Sequence, residues 1–164
     1  MKDFINRHGH LSMWVILILL VIAFFMSRNF LLWSTYQKTM DAFAEFPEQE
    51  NNNIFITAQV DMVKIVTKTA EIDINDYPEL YEMLCDAEFA GRYTFYNQGI
   101  SLDGVEIYYL HFYSKDLKSP ASFIISTNNE FNRLKYDNKS ISIDVDEKVV
   151  AYLHGLIDGI GEYQ

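Results

Sequence analysis

Four histidines, one cysteine and two short acidic clusters are the residues of this chain best suited to chemistry. His8-Gly9-His10 offers two imidazoles to a metal, but a stable site needs three or four ligands, so the pair reads as a polar flank. His111 falls within an apolar run and His154 within an amphipathic one, and neither belongs to an HExxH motif. Asp73, Asn75 and Asp76 resemble the first oxygens of a calcium loop, yet Pro78 stands at the sixth position and Leu84 at the twelfth, where Gly and Glu are required. Asp144, Asp146 and Glu147 stand where a helix N-terminus favours anions. Cys85 sits beside an apolar helical face and reads as a small core residue. A Ser-centred elbow and a Gly-rich phosphate loop are both lacking from the sequence. The expectation is therefore a protein without catalytic residues, metal or cofactor, which is not an enzyme.

Aromatic residues are the stronger signal. Phe95, Tyr96, Tyr108, Tyr109, Phe112 and Tyr113 crowd two stretches that read as adjacent strands. In Val105 to Tyr113 both faces are substantially apolar: Val105, Ile107, Tyr109 and Tyr113 on one, Tyr108, Leu110 and Phe112 with Glu106 on the other. One face must pack on helices. The other is either exposed or covered in turn, by helices near Ser34 and Val145 lying on opposite sides. An exposed face of aromatic anchors with an acidic rim suits protein recognition, which makes Tyr96, Asp103, Glu106, Tyr108 and Phe112 the candidate partner-binding residues.

The elements that must position these residues follow from periodicity. Ser34 to Phe46 continues as a helix, with Tyr36, Met40, Phe43 and Ala44 at helical spacing, and Pro47 closes it ahead of the polar linker Glu48 to Asn53. This helix is either a stalk or an outer layer. Ile54 to Thr69 alternates as one long strand, or as two with a bend near Lys64, and Ile72 and Ile74 suggest another short strand. Asp76-Tyr77-Pro78-Glu79 marks a helix start capped by Asp76, with Gly91 as its stop. Strands are expected at Arg92 to Asn97, Val105 to Tyr113, Ala121 to Thr127, Phe131 to Tyr136 and Ser140 to Ile143, with turns at Asp103-Gly104, Asn128-Asn129 and Asp137-Asn138. A last helix begins at Asp144 with Glu147 as capping-box partner, carries Val145, Val149, Tyr152 or Leu153, Leu156 and Ile160 on its stripe, and ends at Gly159 and Gly161. The fold class is α+β: an antiparallel sheet of about five to seven strands with helices packed on it, behind one N-terminal transmembrane helix.

That helix is read from Leu11 to Met26, sixteen residues without a charge. They span about 24 Å, and extension to Trp33 crosses the roughly 30 Å hydrocarbon core with length to spare, leaving Arg28 to snorkel. The bulky exit, Phe24-Phe25-Met26, does not suit signal cleavage, so an uncleaved anchor is expected. Lys2, Arg7, His8 and His10 precede the span and acidic residues follow it, which places the N-terminus in the cytoplasm and the domain outside. The resulting organisation is a cytoplasmic flank (1–10), an anchor in the bilayer (11–33), a helix and linker (34–53) and an extracytoplasmic α+β domain (54–164).

The charge is unevenly distributed. Only three of the thirteen Lys and Arg and one of the 23 Asp and Glu precede Ser34, leaving ten against twenty-two beyond it. Such a surface repels nucleic acid and anionic lipid headgroups and attracts a basic protein or a divalent cation. A single cysteine excludes an intramolecular disulfide and suits a bacterial surface, above all a Gram-positive one. With the anchor and the stretches NDYPELYEML (Asn75 to Leu84) and VEIYYLHFYS (Val105 to Ser114), the layout resembles the TipC family of membrane-anchored bacterial immunity proteins. The resemblance is architectural and spans the chain. It implies an acidic, Tyr-rich domain outside the cell that neutralises a toxin from neighbouring cells by direct binding. Two other readings stay open: a structural subunit of an envelope or secretion complex, and an envelope enzyme or small-ligand binder using His111 with Glu106 or Asp103.

Overall fold

The computed structural model describes residues 2–61, 66–90, 105–128, 132–160 and 162–163. The chain divides into two compact units, Met1–Ser34 and Thr35–Gln164. The helix α1 (Lys2–Ala44) starts in the first and ends in the second. In the first unit every large apolar side chain from Met13 to Met26 is exposed, between 46 and 68 %. The apolar surface surrounds the helix on all sides, as in a helix meant for hydrocarbon and not for one packed face. It is the one helix among the described residues long and apolar enough to cross a membrane.

In the second unit the end of α1 is a core element. Tyr36, Thr39, Ala42 and Phe43 are buried, whereas Met40 is half-buried and Ala44 exposed, so the stripe is rotated slightly from the expected one. Thr39 can be fully buried because its hydroxyl donates to the Thr35 carbonyl at 2.8 Å. A short 3-10 turn, Phe46–Glu48, follows, and Pro47 in its first turn explains why the α-helix stops.

The remaining elements are β1 (Asn53–Asp61), β2 (Val66–Asp73), α2 (Pro78–Cys85), β3 (Glu88–Phe89), β4 (Ile107–Phe112), β5 (Ala121–Ser126), β6 (Arg133–Tyr136), β7 (Lys139–Asp144), α3 (Glu147–Ile160) and β8 (Glu162–Tyr163). They form the expected α+β fold. The sheet is antiparallel throughout, in the order β3-β7-β6-β5-β4-β1-β2-β8. Eight described strands exceed the expected five to seven because β3 and β8 contribute two residues each to the edges. The alternation in Ile54 to Thr69 resolves into β1 and β2, paired from Asn53↔Asp73 to Asp61↔Val66. Ile72 is part of β2 and Ile74 part of a 3-10 turn (Ile74–Asp76), so no separate strand forms there.

The two-residue period puts Ile54, Ile56, Ala58, Tyr108, Leu110, Phe112, Phe123, Ile125, Leu134 and Ile141 on one buried face. The end of α1, α2 and α3 pack on it. The Phe43 ring lies 4.9 Å from both Phe112 and Phe123 and 5.6 Å from Tyr81, and α3 buries Val149, Leu153 and Ile157. The opposite face carries Phe55, Thr57, Tyr109, His111 and Ile124, and among the described residues no helix of this unit covers it. The arrangement with helices on opposite sides is thus corrected: they share one side.

Local signals differ in how they are used. Asp137 and Asn138 adopt positive φ (48° and 59°), which is the hairpin expected between β6 and β7. Asp76 does not cap α2; Tyr77 occupies that position without a side-chain bond, and Asp73 instead accepts from the Asn75 N–H at 2.9 Å. Asp144 ends β7, and Asp146 accepts from the Lys148 N–H at 2.9 Å at the start of α3. Ile157 joins the α3 stripe, and Ile160 is 45 % exposed. The expected strand at Arg92 to Asn97, the Asp103-Gly104 turn and the stops at Gly91 and Gly161 lie outside the described residues.

Candidate functional site

Strand β4 is the centre of the sheet's chemistry, because its two faces meet different surroundings. On the helix side Phe112 is fully buried and Tyr108 is 1 % exposed. Both were expected as aromatic anchors for a partner. Phe112 is instead a core ring stacked on Phe123 and tilted against Phe43 and Phe46, and the Tyr108 ring is core with only its hydroxyl engaged in polar contacts. Glu106, at the end of the same face, keeps 22 % of its side chain exposed and remains available. Tyr96 and Asp103 lie outside the described residues.

Glu106 is part of a polar assembly between β4, β2 and α3. The Tyr108 hydroxyl donates to Glu106 Oε2 at 2.8 Å and lies 3.3 Å from His154 Nδ1. His154 Nδ1 is 3.4 Å from Glu106 Oε2, and its Nε2 is 3.4 Å from Asp158 Oδ2, one helical turn on. Lys68 closes the row with Nζ 2.7 Å from Asp158 Oδ1. The β-strand period points Lys68 inward opposite Ala58, so it is buried apart from this pairing region. Through its hydrogen bond and charge, Lys68 holds the Asp158 carboxyl below the usual carboxylate range. Burial, followed by the Glu106 hydrogen bond and charge, pushes the Tyr108 phenol well above its ordinary value. That phenol keeps its proton at neutral pH and serves as a donor, not a nucleophile.

Beside the assembly a recess of about 560 Å³ opens between α3 and the β4–β5 end, lined by Glu106, Thr127, Asn128, Glu147, Val150, Ala151 and His154. Thr127 ties down its floor: its hydroxyl accepts from the Glu106 N–H at 3.0 Å, and its N–H donates to the Glu106 carbonyl at 3.0 Å. The lining pairs carboxylates with a small apolar wall. Such a lining suits a cation on an aliphatic stem.

The chain matches no protein-family model, no curated protein and no solved structure. The site therefore rests on its own geometry.

His111 belongs to the other face. Its Nδ1 is 2.7 Å from the Ser122 hydroxyl, and Tyr109 stacks nearly parallel to it at 6.3 Å. Burial and then the Lys135 charge lower its pKa, so the neutral imidazole prevails. It lines a separate recess of about 480 Å³ with Tyr109, Tyr113, Ser122 and Lys135. His111 and Glu106 differ by an odd number of positions and point to opposite sides, so among the described residues they line two different recesses. Among the described residues no group of three or more His, Cys, Asp or Glu could hold a metal ion. Cys85 is half-buried, and burial raises its thiol pKa, which favours the less reactive thiol form.

His154, Asp158, Glu147 and Lys68 were not among the candidate partner-binding residues. The i,i+4 spacing of His154 and Asp158 on a helix was the available signal. Lys68, placed among alternating apolar residues, was a second one.

Proposed function

We propose that this protein is a membrane-anchored, extracytoplasmic binding protein that neutralises a basic toxin from neighbouring cells by direct contact. The observation that carries this reading is the pairing of two unlike surfaces in one chain. A helical stretch, Met13 to Met26, whose large apolar side chains are all exposed calls for a bilayer, while the unit beyond it carries ten basic against twenty-two acidic side chains. Positive charge before the span supports a cytoplasmic N-terminus and an outward domain. An acidic surface speeds capture of a basic partner, and inhibition by occlusion needs no catalytic group. The architectural likeness to TipC-type immunity proteins agrees with the same function.

Two measurements test the proposal together. Protease added to intact cells should digest the Thr35–Gln164 unit, and a strain deleted for the gene should lose to its parent in contact competition. The full chain should restore survival; a version carrying an unrelated soluble leader and no anchor should restore less. An unchanged competition outcome on deletion would sink the reading.

A further inference from the structure

We propose that the recess between α3 and the β4–β5 end is where the partner protein inserts a basic side chain, a lysine or arginine. This inference rests on the binding reading above and names its contact point. Glu106 supplies the first argument. Its Oε2 is committed to Tyr108 and His154, while its Oε1 makes no hydrogen bond among the described residues. A carboxylate only 22 % exposed at its side chain, with one oxygen unused, favours an incoming donor more than a fully solvated one does. Glu147, across the recess, is exposed and has no ion pair among the described residues. Val150 and Ala151 provide an apolar wall for the methylenes of a long side chain, so stem and head are both accommodated.

The N-terminus of α3 would otherwise favour an anion here. Its positive end is already answered by Asp146, which accepts from the Lys148 N–H, and by Glu147 in the first turn. His154 turns its two nitrogens towards Glu106 and Asp158, away from competing for the unused oxygen. Charge complementarity selects a protein over a free small cation. Lys68 pairs with Asp158 and Lys148 stands 4.0 Å from Asp146, while the exposed Asp144, in the segment leading into α3, adds its charge to those of Glu106 and Glu147, so the negative field extends past the volume one side chain fills. A basic protein surface uses all of that field.

The test uses the full chain in lipid nanodiscs with agmatine as probe and uncharged pentylurea as control, read at the His154 ring resonances. Agmatine should shift them, pentylurea should not, and Glu106→Gln and Glu147→Gln should each weaken agmatine binding about fivefold. Gln at 106 still accepts from Tyr108, so the fold is retained. Glu82→Gln on α2, away from the recess, should leave binding unchanged. Absence of a His154 shift, or equal weakening by Glu82→Gln, overturns the proposal in favour of a diffuse acidic surface. In contact competition the Glu106→Gln/Glu147→Gln chain should protect poorly at normal surface level. Full protection by that double variant overturns the contact point and leaves the toxin reading standing. Failure of the parent chain itself to protect overturns the toxin reading and, with it, this occupant.

Discussion

One helix, α1, meets two different environments, and its two ends show what each demands of a sequence. From Met13 to Met26 large apolar residues occupy every side and stay exposed. From Thr35 to Phe43 polar and apolar residues alternate at helical spacing, and the stripe Tyr36, Thr39, Ala42, Phe43 disappears into the core. The backbone is the same in both; the distribution of side chains around it differs. A helix apolar all round needs cover on every side, from hydrocarbon or from protein, while a striped helix needs one complementary face. The aromatic cluster of Phe43, Phe46, Phe112 and Phe123 is that face here.

Substitutions should separate the two environments. The largest effect is expected for Phe43→Ala, which empties the centre of the aromatic cluster and should cost about 3–5 kcal/mol of domain stability, read by denaturant unfolding. Leu19→Ala in the exposed stretch should leave the same unfolding curve in place. Ile22→Arg should do the reverse: about 3 kcal/mol against insertion, seen as loss of carbonate-resistant membrane association, with the domain's melting unchanged. Tyr81→Phe should cost about 1 kcal/mol, because the Tyr81 hydroxyl donates to the Ala44 carbonyl at 2.7 Å and so satisfies the last turn of α1.

The smallest expected effect lies on the uncovered side of the sheet. Burial and Lys135 lower the His111 pKa from its ordinary 6.5, so the folded state prefers the neutral ring. As pH falls, the unfolded chain takes up this proton first. The stability that His111 contributes is therefore complete above the unfolded value and is lost as pH falls through the folded one. His111→Gln should flatten this part of the Tm profile between about pH 7.5 and 5, and an unchanged slope would contradict the assignment.

Much of this fold was readable because its signals are local. The continuous apolar run, the alternation in Ala121 to Ser126, and the Asp137-Asn138 turn each state their conformation within a few residues. Strand parity also showed correctly that Tyr108, Leu110 and Phe112 share a face. Parity does not say which face is covered, and that depends on three helices settling on the same side of the sheet. Tyr108 and Phe112 were misread as anchors for this reason. The Lys68–Asp158–His154–Glu106 row was hidden by distance: its members are separated by 38 to 90 positions or lie one helical turn apart. The caps were misplaced by a smaller effect. Asp76 is taken up in a 3-10 turn, and Pro78 at the start of α2 removes one of the N–H groups a cap would serve.

The burial of Tyr36, Phe43 and Phe46 bears on how the molecule could leave a cell surface. A cut before Thr35 would spare these rings, but a sheddase cutting between Tyr36 and Phe46 would strip away rings that the sheet cannot do without. The liberated fragment would lose its fold, not circulate as a soluble decoy.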